Sequence, residues 1–327
     1  MYGGARVKFT KPPLTLAQQL AKWQSRGLVV SDEAKALHYL RFVGYYRFSG
    51  YALPFQDLNH ADKHFRPGTT FELVLGLYVF DRELRLLVLD AIERVEVAMR
   101  ACVVNEMCVK YGAHWFMDAK YFKPPPPRAA PRTYFDHTDF LNKIDEELGI
   151  PPMARAPSAP HNEVFINHYY AKYGDPDLPP AWMTFEVLSM NRLSQVFANL
   201  REPGDRNGIA GHFGVDEQVL QKWLHCLSYV RNLCAHHRRL WNVKLVIKPL
   251  VAKKHAALIP EIDRDRFYAV AVILHYLMGV VASQTRWHER LAGLMIKHSA
   301  GGLRAMGFPV DWRAREFWGL ADGDYSI

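Results

Sequence analysis

Arg231, Asn232, His236 and His237 fall within seven positions, and Arg238 and Arg239 follow at once. A guanidinium is a permanent, planar ligand for phosphate oxygens. An imidazole gives or takes a proton near neutral pH. With an amide beside them, these groups have what phosphodiester cleavage needs without a metal ion. The leading reading of the stretch from Arg231 to Trp241 is an RNA-cutting site.

The elements that must position these groups begin with one helix. Asp216 and Glu217 supply an N-cap and an acidic first turn. Leu220, Trp223, Leu224, Leu227, Val230 and Cys234 then recur at helical spacing as a single apolar stripe. Asn232 and His236, four apart, share a face away from that stripe. Arg231 adjoins the stripe, and His236 lies about 140° around the helix from it. Either the helix ends or distorts near Ala235, or a second copy of the helix completes the site. The second alternative makes a dimer part of the chemistry. Cys234 belongs to the apolar stripe and reads as a core thiol rather than a nucleophile.

The run from Arg231 to His236 resembles the R-x4-H pattern of HEPN ribonucleases, and His237 satisfies the looser x5 spacing. The longer string, with Ala235-His236-His237 and Arg239-Leu240-Trp241-Asn242, is similar to the Abi-like family of abortive-infection proteins. Those are bacterial phage-defence proteins built around a HEPN helical core. Leu40-Arg41-Phe42-Val43-Gly44-Tyr45-Tyr46-Arg47 resembles the family's tyrosine-rich N-terminal segment. Ile92-Glu93-Arg94-Val95-Glu96 resembles its long central helix, and Pro179-Pro180-Ala181-Trp182-Met183 and Met306-Gly307-Phe308-Pro309 are further matches. Met190-Asn191 departs from the aromatic-glycine pair expected there. The resemblance covers nearly the whole chain. It implies an all-α fold, a HEPN-like helical bundle with additional N-terminal and C-terminal helices. Residues 1–66 would form an N-terminal helical region. Residues 67–327 would form the core, interrupted by a proline-rich insertion at about 120–162.

The activity this resemblance implies is that of a metal-independent endoribonuclease in a phage-defence or toxin-type system. The substrate's own 2′-hydroxyl attacks the adjacent phosphorus, leaving a 2′,3′-cyclic phosphate and a 5′-hydroxyl end. His236 serves as general base or acid, and Arg231 neutralises the non-bridging oxygens as the phosphorane forms. Asn232 positions the phosphate or fixes the histidine, with His237 in support. The alternative is a non-catalytic HEPN protein that binds a structured or regulatory RNA. A metalloenzyme ranks below both, because adjacent histidines on a helix diverge by about 100° and no further ligand pattern accompanies them. A purely structural dimer module is the remaining class. No cofactor or metal is expected. The expected partners are RNA, as substrate or regulatory small RNA, a second copy of the chain, and an antitoxin or phage trigger.

Two further constellations admit a structural and a functional reading. Glu93, Glu96 and Arg100 share a helix face; the plain account is a surface Glu96–Arg100 pair, worth tenths of a kcal/mol. In the functional account, Glu93 or Glu96 orients Arg231 or His236. Tyr45, Tyr46, Arg41 and Arg47 suit stacking on unpaired bases and phosphate contact, whereas half-buried packing is the commoner fate of such tyrosines. Arg41 and Arg47 are the better nucleic-acid candidates there, beside Arg238 and Arg239.

A formal charge of +8 and a pI near 9.2 favour an anionic partner. Basic residues are dense at Arg238-Arg239 and at Lys253-Lys254-His255. Cys102, Cys108, Cys226 and Cys234 form no C-x-x-C pair and read as reduced thiols of a cytoplasmic protein. Residues 1–13 lack an apolar segment, so no signal peptide is expected. The most apolar stretch, Phe267 to Ala282, carries His275 and is too short to span a membrane comfortably. It reads as a buried helix. Other helices are expected from Thr15 to Gly27, from Ser31 toward Gly44, and over about 70–110, 136–148, 163–173, 181–200, 217–237 and 264–298. A short tail should pack through Phe308, Trp312, Phe317 and Trp318.

Overall fold

In a computed structural model, the described residues are 8, 10–57, 59, 62–125, 135–251, 256–257, 264–297 and 302–320. Among them are twelve α-helices and no strand. The expected all-α class holds. The chain divides into two compact units, 1–83 and 84–327.

In the first unit, α1 (Leu16–Gln24) starts with a capping box. The Gln18 N–H donates to Thr15 Oγ1, and the Thr15 N–H donates to Gln18 Oε1. α2 (Glu33–Val43) is capped by Asp32, whose Oδ1 accepts from the Lys35 N–H at 2.8 Å. The expected cap, Ser31, lies one residue too early. Gly44, at φ +91°, ends α2 and turns the chain straight into α3 (Tyr45–Ala52). Trp23 is buried against the rings of Tyr45, Phe48 and Phe65.

α4 runs unbroken from Phe71 to Tyr111, about 60 Å of helix, and Gly76 does not interrupt it. Its first turns belong to the first unit and the rest to the second. Within the second unit, Leu84, Val88, Ala91, Val95, Met99, Val103 and Met107 are fully buried along one side. Each of the larger ones contributes about 1.5–3 kcal/mol. α5 (His137–Leu148) forms inside the proline-rich stretch, with Asp136 as its cap and left-handed Gly149 as its stop. α6 spans Val164–Lys172.

Two helices expected to be continuous are each divided. Over 181–200 the chain forms α7 (Ala181–Thr184), a 3-10 turn, an extended Leu188 and then α8 (Met190–Asn199). Ser189 takes the N-cap of α8, and the freed Leu188 carbonyl accepts from Arg100 Nη2 at 3.1 Å. Over 264–298 the chain forms α11 (Phe267–Val281) and α12 (Trp287–Lys297). There Thr285 Oγ1 accepts from the Trp287 N–H, and the Trp287 indole donates to the Leu87 carbonyl on α4. A long-range contact supports each break, and helical periodicity carries no trace of it. Between the two regions lie α9 (Pro203–Gly211), which the sequence reading does not anticipate, and α10 (Glu217–Ala235). The tail packs as expected, with Phe308, Trp312 and Trp318 buried and the Phe317 carbonyl bonded to His275. No helix among the described residues is long and apolar enough to cross a membrane.

Candidate active site at the end of α10

α10 buries the expected stripe, Leu220, Trp223, Leu224, Leu227, Val230 and Cys234, and packs on α8 and α9. Its start is held by Arg206 from α9. This nearly buried guanidinium bonds Glu217 and the Leu200 and Arg201 carbonyls, tying α10 to the end of α8. α9 is itself anchored on α4, where buried Asp205 accepts from Lys110 Nζ at 2.5 Å and from the Tyr111 hydroxyl.

The helix ends at the motif, but too late to bring Arg231 round to His236, because the His236 N–H still donates to the Asn232 carbonyl in helical register. Ala235 is the last helical residue, and His236 is the C-cap at φ −87°, ψ 16°. His237 follows at φ +54°, in the left-handed region. The His237 N–H donates to the Cys234 carbonyl and the Arg238 N–H to the Leu233 carbonyl. That pairing is a Schellman stop, whose left-handed position is usually glycine. The turn exposes Asn232, His236, His237 and Arg238, while Leu240 and Trp241 re-enter the core. Arg231 is half-buried, and its Nη1 lies 3.5 Å from Asn232 Oδ1. Arg231 and Asn232 therefore meet, and the exposed His236 lies one turn beyond Asn232 on the face that Asn232 shares. Beyond Asn242, also left-handed at φ +50°, the chain returns along α10. The Ile247 and Leu250 carbonyls there accept from Cys226 Sγ and Trp223 Nε1. Cys234 is buried, as expected of a core thiol, and burial pushes the neighbouring Cys226 thiol up to about 12.

The other sequence candidates are placed as follows. Glu96 is tied to Arg100 at 3.0 Å. This is the pair of the plain reading, although Arg100 is buried and also bonds Leu188, so it is a core clamp and not a surface pair. Glu93 is exposed on α4. In the first unit, Tyr45 is half-buried, its ring 4.9 Å from Trp23, and burial raises its hydroxyl above the usual tyrosine value. Tyr46 is 91% exposed, and Arg41 and Arg47 are also on the surface. Arg239 is half-buried. Lys253-Lys254-His255 lies outside the described residues. Among the described residues, no group of three or more His, Cys, Asp or Glu side chains is placed to share a metal ion. Arg206 and α9 escaped the sequence reading. Pro203 at the first helical position was a usable signal, outweighed by three glycines in nine residues.

α10, buried along one side, thus ends in a half-buried arginine followed by an exposed amide, two exposed histidines and a second, exposed arginine. The Abi-like protein family matches residues 38–242, and the chain belongs to that family. The match runs from α2 to Asn242 and so includes the whole motif. Membership suggests a role in abortive-infection defence. No curated protein and no solved structure matches the chain.

Proposed function

We propose that the protein is a metal-independent endoribonuclease of the HEPN type, acting in phage defence. One observation carries this reading: α10 stops so that His236 leaves the helix on the solvent side, one turn from the Arg231–Asn232 pair. An RNA phosphate at this end meets a guanidinium for its non-bridging oxygens. It also meets an imidazole able to exchange a proton with the 2′-hydroxyl or the leaving 5′-oxygen. The 2′-oxygen forms its bond to phosphorus as the bond to the 5′-oxygen breaks. The proton lost by the first is matched by one gained by the second, giving a cyclic phosphate and a 5′-hydroxyl. A second copy, meeting the first near the C-terminal turns of α10, supplies the complementary group, so a homodimer is the active species. Sedimentation run alongside turnover tests this; a fully active monomer refutes it.

The activity is tested by sequencing RNA ends from cells expressing the wild type or His236→Ala. Cyclic-phosphate and 5′-hydroxyl ends should accumulate only with the wild type, and purified protein should cut RNA in the presence of chelator. Equal end profiles from two folded proteins would leave the second reading, a protein that binds a regulatory RNA without cutting it. The exposed basic surface at Arg238 equally favours that reading.

A further inference from the structure

α8 and α10 lie antiparallel. Asn191 near the start of α8 accepts from the Ser228 hydroxyl, and Arg206 joins the end of α8 to the start of α10. Between them is a cavity of about 190 Å³, lined chiefly by Asn191, Gln195, Asn199, Gln221, Lys222 and His225. Four of these six are amides, one is a cation, and no carboxylate lines the space. Amide clusters on a surface are common, but this one lies on the side of α10 that carries Asn232 and His236. His225, Asn232 and His236 fall within about 40° of one another around α10, and Ser228 is one turn before Asn232.

The volume restricts the occupant. Drug-sized ligands fill pockets of roughly 300–1,000 Å³, whereas this space holds about six water molecules at 30 Å³ each. One planar heterocycle fits. Asn191 Oδ1, Gln195 Oε1 and Asn199 Nδ2 each hold one bond within the protein, to Ser228, Arg192 and the Gln195 carbonyl; the other group of each amide, with the amide of Gln221, faces the edge pattern of a nucleobase. Unpaired bases are the part of RNA that proteins read in this way. Lys222 at the rim suits the attached phosphate.

We propose that this cavity is a nucleobase subsite that holds one unpaired base of the RNA cut at His236. The proposal rests on the ribonuclease reading above. From His225 to His236 is about 16 Å along α10, and a stacked strand rises about 3.4 Å per nucleotide. From Gln221 the same distance is about 22 Å, so the held base is about five to seven nucleotides from the scissile phosphate. The subsite sets which sequence is cut and takes no part in proton transfer.

The test measures binding in the His236→Ala background, where the strand stays intact, using short single-stranded homopolymers of each of the four bases. Full-length protein should discriminate among them by roughly tenfold. Gln195→Ala with Gln221→Ala should abolish that discrimination while leaving salt-dependent phosphate binding in place. Gln221→Glu, a half-exposed change that leaves the fold undisturbed, should weaken binding of all four by setting a carboxylate against the strand. Equal affinity for all four homopolymers, or discrimination that survives in the folded double variant, overturns the subsite and leaves the ribonuclease reading standing. Failure to bind any RNA overturns both.

Discussion

The two ends of α10 use similar residues to opposite ends. At its start, the Arg206 guanidinium is buried, faces a carboxylate and bonds the carbonyls that close α8. Its charge is consumed in holding three helices together. At its finish, an arginine, an amide and two histidines are turned outward over a backbone that includes a non-glycine residue at φ +54°. Stability alone would favour glycine at that left-handed position. A polar cluster satisfied by its own fold is structural. One held exposed over a strained turn is better explained by what it binds.

Substitution at the two ends should separate them. His236→Ala should lower RNA cleavage by about 10²- to 10⁴-fold with little change in RNA binding or melting temperature. Arg231→Lys should restore little, since an ammonium lacks the planar fork. If His236→Ala cuts normally while His237→Ala does not, the roles of the two histidines are reversed. Arg206→Ala should act on the other axis, destabilising the protein by about 3–5 kcal/mol because Glu217 and two carbonyls lose a buried partner. Denaturant melts of the two variants test the contrast, and a stable Arg206→Ala would erase it.

Much of this contrast was legible beforehand. The stripe from Leu220 to Cys234, the long α4 and the caps at Thr15 and Asp136 follow from local periodicity and local hydrogen bonding. The motif was legible because its residue types are unusual together and its spacing is short. The breaks at Leu188 and Ala282 were not, because they depend on Arg100 and Leu87 on a distant helix. Glu96 and Arg100 show the same limit. Their spacing announced the pair, but only the tertiary fold makes Arg100 a buried clamp at the start of α8. The amide cavity draws on two helices separated by α9, so no single segment announces it.

A smaller effect belongs to the structural kind of polar group. His275 on α11 stacks on Trp318, bonds the Phe317 carbonyl and lies 4.9 Å from the His288 ring. Burial, the largest cause, pushes its imidazole down to about 4; the carbonyl bond opposes this and His288 reinforces it. The unfolded chain, with an ordinary histidine near 6.5, takes up the proton first as pH falls. Stability is therefore complete above about pH 6.5 and is lost between there and about pH 4, by up to about 3 kcal/mol. Chemical melts of the wild type and His275→Gln across that range should differ in slope. Parallel curves would show that the imidazole is as well solvated in the folded protein as in the unfolded chain.

The smallest expected effect bears most directly on the strained end. A left-handed non-glycine residue costs about 1–2 kcal/mol, and glycine's extra freedom in the unfolded chain returns about 0.4–1 of that. His237→Gly should therefore stabilise the protein by about 0.5–1 kcal/mol, raising the melting temperature by about 1–2 °C. Its effect on cutting should be milder than that of His236→Ala, because Asn232 shares its helix face with His236. Strain that is relieved by glycine at some cost in activity is strain kept for the site. If His237→Gly melts lower than the wild type, the exposed imidazole contributes contacts that outweigh its backbone. The left-handed turn would then be an ordinary helix stop, and the contrast between the two ends of α10 would rest on exposure alone.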